Sequence, residues 1–154
     1  MRRRTPEELG IVAVVVLVAL VLSLISPTFR TVENAQILLL NGAVIAFLAL
    51  GQTFVLLTGG IDLSTGSNVA LTGMIAALAM SSGAPWWLAA LAAIAIGILV
   101  GMVNGSLVHF LKLPPFIVTF ATFGGAASIP LIPTGASSVT AKDPLVAIIG
   151  RGPV

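Results

Sequence analysis

Residues 58–67 read Thr58-Gly59-Gly60-Ile61-Asp62-Leu63-Ser64-Thr65-Gly66-Ser67, a polar, glycine-rich stretch set between two long apolar runs. Glycines 59, 60 and 66 open backbone conformations closed to other residues. Asp62, Ser64 and Ser67 are residue types that cap a helix by accepting bonds from its free N–H groups. The carboxylate would also sit favourably before the positive end of that helix. The segment therefore reads as a helix break followed by a capped restart near Asn68. Asp62 is the only acid between Glu33 and Asp143. Breaks at membrane depth are tolerated only beside protein or water, and such breaks border substrate sites. An ordinary cap at a cytoplasmic turn explains the same composition.

Working outward, apolar runs long enough for membrane helices follow one another, each needing about 20 residues. Five spans are expected, at residues 9–25, 37–57, 68–82, 86–111 and 115–133. The last is the most interrupted, because proline breaks backbone hydrogen bonding. The first run follows Arg2-Arg3-Arg4 and lacks a small-residue cleavage site, so it reads as an uncleaved span rather than a signal peptide. Residues 134–154 form a polar, Pro/Gly-containing tail after a transmembrane domain at 1–133, and Leu145 to Ile149 is too short to span. The arginine cluster places the N-terminus in the cytoplasm. Span counting then puts Arg30 and Glu33 outside, residues 58–67 inside or partway in, Trp86-Trp87 at the outer interface, and His109 and Lys112 inside.

Composition agrees with lipid as the solvent. Of 154 residues, 58% are hydrophobic and 8% charged, against about 25% charged in soluble domains. Mean hydropathy is +1.16. The absence of cysteine excludes disulfides and thiolate chemistry, and one histidine cannot make a metal site. The net charge of +2 rests on seven Lys and Arg, too few for a nucleic-acid surface. No catalytic residue and no metal site is expected. An enzyme would have to be built almost from Asp62 alone.

The fourth span carries Ala89, Ala93, Gly97, Gly101 and Gly105 at every fourth position. Small residues in register let two membrane helices approach closely; Gly97, Gly101 and Gly105 are the expected packing positions. Asn41, Gln52, Thr53, Asn68 and Asn104 would each cost free energy if turned to lipid, so they should face the bundle interior. Interhelical hydrogen bonding and the lining of a polar route both account for them. Asn104-Gly105-Ser106 matches a glycosylation sequon but lies inside a span.

Gly59 to Ser67, followed by Asn68-Val69-Ala70-Leu71-Thr72-Gly73, closely resembles the signature region of the ribose/xylose/arabinose/galactoside-type ABC transporter permeases. Ser26-Pro27-Thr28-Phe29-Arg30-Thr31-Val32-Glu33-Asn34, Gly97 to Leu107 and Leu113-Pro114-Pro115-Phe116-Ile117-Val118-Thr119 resemble three further blocks of that family, in the family's order. The likeness covers about residues 20–125. The related branched-chain amino acid permeases share a similar break, but the Asp-Leu-Ser form is more like the sugar branch.

The resemblance implies an all-α, polytopic transmembrane bundle, like the N-terminal half of a ten-helix importer permease, in a bacterial inner membrane. It implies a translocation pathway for a monosaccharide such as ribose, a periplasmic or lipid-anchored binding protein that delivers it, a cytoplasmic ATPase subunit that binds the ATP, and a second permease subunit, as in a homodimer. The chain has no G-x-x-x-x-G-K-[ST] loop of its own, and no cofactor is expected in it. On this resemblance Gly59, Gly60, Asp62, Ser64, Gly66 and Ser67 would shape the break, and Gln52 and Asn68 would line the path. Contacts in such a path must be weak enough to release the solute, a requirement shared with channels, so Asp62 is expected to shape helix geometry before specificity. The likeness fades after Gly125, and family members are about twice as long, which suggests an N-terminal half, either a fragment or a shortened paralogue. Two alternatives stand beside this one: a small membrane protein of structural or interaction type without transport, and an importer permease for branched-chain amino acids or nucleosides.

Overall fold

The structure, a computed structural model, describes residues 6–140 together with 143 and 146. Arg2, Arg3 and Arg4, on which the orientation reading rests, and most of the tail lie outside the described residues. The chain divides into two units, Met1–Ala43 and Val44–Val154.

In the first unit, α1 (Pro6–Ile25) is followed by a 3-10 turn at Pro27–Arg30 and the start of α2 (Val32–Leu57). Pro27 at the first position of the turn stops α1, because its ring has no N–H to continue the ladder. Thr31 then starts α2. Its hydroxyl oxygen accepts the Asn34 N–H at 3.2 Å and donates to the Thr28 carbonyl at 2.8 Å, satisfying one of the helix's free donors. The Asn34 side chain reaches back to the Phe29 carbonyl at 3.1 Å. Helix α2 thus begins five residues before the expected span, because a capped polar turn is helical although too polar for lipid.

The second unit holds the C-terminal part of α2, then α3 (Thr65–Ser81), α4 (Trp86–Leu111), α5 (Pro115–Ser128) and the single turn α6 (Leu131–Thr134). Helix α3 packs against α4 and α5, and α4 against α5. The small core between them contains Leu71, Ala89, Val118 and Ala126. Most large apolar side chains face outward; Leu50, Phe54, Leu99 and Phe120 are all at least half exposed. In water that surface would be prohibitive, whereas lipid solvates it. Val32–Leu57, Trp86–Leu111 and Pro115–Thr134 are long and apolar enough to cross a membrane.

Local sequence explains the helix ends. Gly59 takes φ 78° after α2; its N–H bonds the Leu56 carbonyl at 3.0 Å and the Gly60 N–H bonds that of Val55 at 3.1 Å. These paired bonds are the Schellman arrangement, which a glycine in the left-handed region makes without strain. Gly83, φ 94°, closes α3 the same way, with Gly83 and Ala84 bonding back to Met80 and Ala79. Pro115 at the first position of α5 is preset for a helix start. The fifth expected span is matched by Pro115–Thr134, with the helix interrupted after Ser128 because Pro130 has no N–H and its ring crowds the carbonyl four residues back.

Candidate functional site

The break at residues 58–64 is folded against α3, α4 and α5, with Ser64 at its centre. Ser64 is fully buried. Its backbone N–H and its hydroxyl both donate to Asp62 Oδ1, at 2.7 and 2.6 Å. Its Oγ in turn accepts the amide groups of Asn68 and Asn104, each at 3.2 Å. Thr122 on α5 completes the chain by donating to Asn104 Oδ1. Five linked residues thus tie the break to three helices. A buried polar network of this kind specifies one arrangement when its members are satisfied.

Two further ties fix the flanks. Thr119 Oγ1 accepts the Leu63 N–H at 3.0 Å and lies within hydrogen-bond reach of the Ile61 carbonyl at 3.2 Å. From α2, Gln52 donates to the Asp62 carbonyl at 3.2 Å and accepts from the Thr65 hydroxyl at 3.1 Å. Gly60 is needed for close approach: a Cβ there would lie 3.3 Å from Val55 Cγ1 and 3.4 Å from Pro115 Cβ. Asn104 and Thr122 each lie two turns inside their helices, counted from Leu111 and from Pro115, which is about 10 Å. The break therefore runs from the end of the α4–α5 pair, where Gly60 meets Pro115, to its interior, where Ser64 meets Asn104.

These contacts revise the expected capping. Helix α3 starts at Thr65, a turn before Asn68, and its N-cap residue Ser64 makes no side-chain cap bond. The Ser64 proton goes to the carboxylate and its lone pairs take two amides, so nothing is left for the helix N–H groups. Ser67, also buried, donates to the Ser64 carbonyl at 2.8 Å rather than accepting. Gly66 needs no glycine conformation: it is helical, exposed, and a Cβ there would meet nothing within 4 Å.

The small-residue stripe of α4 also divides. Ala89 is fully buried, and a Cβ on Gly97 would touch Thr72 of α3 at 3.7 Å. Gly101 and Gly105 have open space instead of a partner helix, and border a cavity of about 280 Å³ together with Asn68, Asn104 and Thr119. A second cavity, about 360 Å³, is bordered by Gln52, Thr65, Asn68, Thr72 and Gly97. A third, about 290 Å³, lies beside Ile45, Gln52 and Thr65. Asp62 borders all three. Asn68 Oδ1 is buried with no partner among the described residues, a condition that costs free energy. No group of three or more metal-ligating residues occurs among the described residues. Asn104, Thr119 and Thr122 were absent from the expected break residues; the signal for them was a polar side chain placed in an apolar helix.

Comparison with known proteins places these features. Residues 34–144 match the family described as branched-chain amino acid transport system / permease component. The chain is 38% identical over 145 residues to the probable ABC transporter permease protein y4mJ of Sinorhizobium fredii, covering 94% of the chain and 43% of that protein. It is 38% identical over 150 residues to the ribose import permease protein RbsC of Haemophilus influenzae, with 95% and 46% covered. To the galactofuranose transporter permease protein YtfT of Escherichia coli it is 35% identical over 159 residues, with 98% and 47% covered. The chain spans less than half the length of these relatives. No solved structure matches it.

Proposed function

The chain belongs to the branched-chain amino acid transport system / permease component family, and we propose that it contributes the N-terminal part of the membrane pathway of an ATP-driven importer for a monosaccharide such as ribose. The observation that carries this reading is the extent of the likeness. It runs through the break, the α4 glycines and the start of α5, and it includes relatives named for ribose import and for galactofuranose transport. The outward apolar surface suits a multi-pass membrane protein. The buried break bordered by cavities suits a solute route.

On this reading a separate cytoplasmic ATPase binds the ATP, a periplasmic or lipid-anchored binding protein delivers the sugar, and a second permease subunit completes the path, with the N-terminus in the cytoplasm of a bacterial inner membrane. Co-purification tests it. The tagged chain, expressed with its genomic neighbours, should retain the ATPase subunit in detergent. A folded chain that retains none, while full-length relatives do, would favour the structural, non-transporting alternative.

A further inference from the structure

The two oxygens of Asp62 stand in different surroundings. Oδ1 is occupied by the Ser64 N–H and hydroxyl. No donor among the described residues reaches Oδ2, and that oxygen is not among the buried, unpartnered atoms, so it is open to the cavities that Asp62 borders. An ionised carboxylate is acceptor-only and needs donors on both oxygens when removed from bulk water. The neighbouring groups do not supply one in this arrangement: Gln52 directs its amide to the Asp62 carbonyl, and Thr65 gives its hydroxyl to Gln52.

We propose that Asp62 Oδ2 is a hydrogen-bond acceptor for the hydroxyl groups of a neutral polyhydroxy solute lodged between α2 and α3. The site is an open cleft of about 360 Å³ with apolar walls from Phe47, Leu48 and Val55 and a few polar groups, Gln52, Asp62 and Thr65 among them, the mixture of apolar lining and few polar groups that small-molecule sites use. A cation fits less well, since the larger divalent ions take six or more oxygen ligands and Asp62 is the one acid in the lining. Asn68 borders both this cavity and the next, but its unpartnered Oδ1 is itself buried, which leaves Asp62 Oδ2 as the open acceptor. The carboxylate thus divides its work, Oδ1 for helix geometry and Oδ2 for solute. The inference rests on the importer reading and specifies the chemistry of its path.

The test is saturation-transfer NMR on the full chain in lipid nanodiscs, with millimolar ribose, 2-deoxyribose and leucine, using wild type and Asp62→Asn. Asparagine keeps an oxygen for Ser64 and puts an NH2 group where Oδ2 stood. The expected result is a ribose signal that Asp62→Asn weakens about tenfold or more, with helicity retained at the assay temperature and little response to leucine. Unchanged ribose binding in Asp62→Asn would overturn the role of Oδ2, as would a preference for leucine. Binding of no solute would overturn it as well. ATPase retention by the same preparation judges the importer reading separately, so either can fail alone.

Discussion

Replacing Ser64 by alanine is expected to destabilise the chain by about 2–4 kcal/mol. Three hydrogen bonds involve its hydroxyl: one to Asp62 and one each from Asn68 and Asn104. Side-chain hydrogen bonds between membrane helices average about 0.6 kcal/mol each and reach about 1.7. Ser64 should lie toward the upper end because it and Asn104 are both buried, so the Asn104 amide loses its partner where water does not replace it. Breaking one member of a closed network also leaves the others unsatisfied. Reversible unfolding in mixed micelles measures the loss. The Asn104→Ala variant should share much of it, and the double variant should cost less than both single ones together. Strict additivity would mean that the network does not act as a unit.

A second large effect is expected at Gly60. A valine there would set its Cβ against Val55 and the rigid Pro115 ring at 3.3–3.4 Å and add two more carbons to a buried position. Overpacking of this kind costs about 1–3 kcal/mol. Here it would push the break away from the start of α5 and strain the Leu63–Thr119 bond. Gly66→Ala is the control. Gly66 lies six residues further along the same motif, in the exposed first turn of α3 with open space around it. Alanine is the better helix former by up to about 1 kcal/mol. Thermal or denaturant unfolding should therefore show Gly60→Val destabilised and Gly66→Ala unchanged or more stable. Equal destabilisation of both would contradict the arrangement.

The contrast between these glycines shows what the sequence could and could not tell. Composition marks 58–67 as a break, since glycine, serine and aspartate cluster where apolar periodicity lapses. It does not separate Gly59, which needs φ 78°, from Gly60, which needs proximity, or from Gly66, which needs neither. The apolar runs give the helices because length and hydropathy are local properties. The starts of α2 and α3 come earlier than those runs, because a capped polar turn is helical without being apolar. Thr119 and Thr122 could not be singled out, because a threonine in an apolar helix can satisfy itself on the carbonyl four residues back. Here each hydroxyl lies within reach of that carbonyl, on Pro115 and Val118, and also of Ile61 or Asn104, so its one proton has a tertiary acceptor as well as a local one. Such second partners belong to the tertiary fold. The α4 stripe divides for the same reason. Small residues permit close packing, but the structure uses Gly97 for it and leaves cavity beside Gly101 and Gly105.

The central claim is that the break is anchored inside the bundle by buried Gly60, Ser64 and Ser67 and is not a free surface turn. The chain has no cysteine, so single cysteines report on it cleanly. Ser67, 4% exposed, makes one side-chain bond that a thiol can imitate, and His109 near the end of α4 is exposed. In proteoliposomes opened to both sides, a membrane-impermeant maleimide should label His109→Cys rapidly and Ser67→Cys only after unfolding. Labelling of a folded Ser67→Cys chain as fast as His109→Cys would mean that the break is a surface turn, and the account would fail.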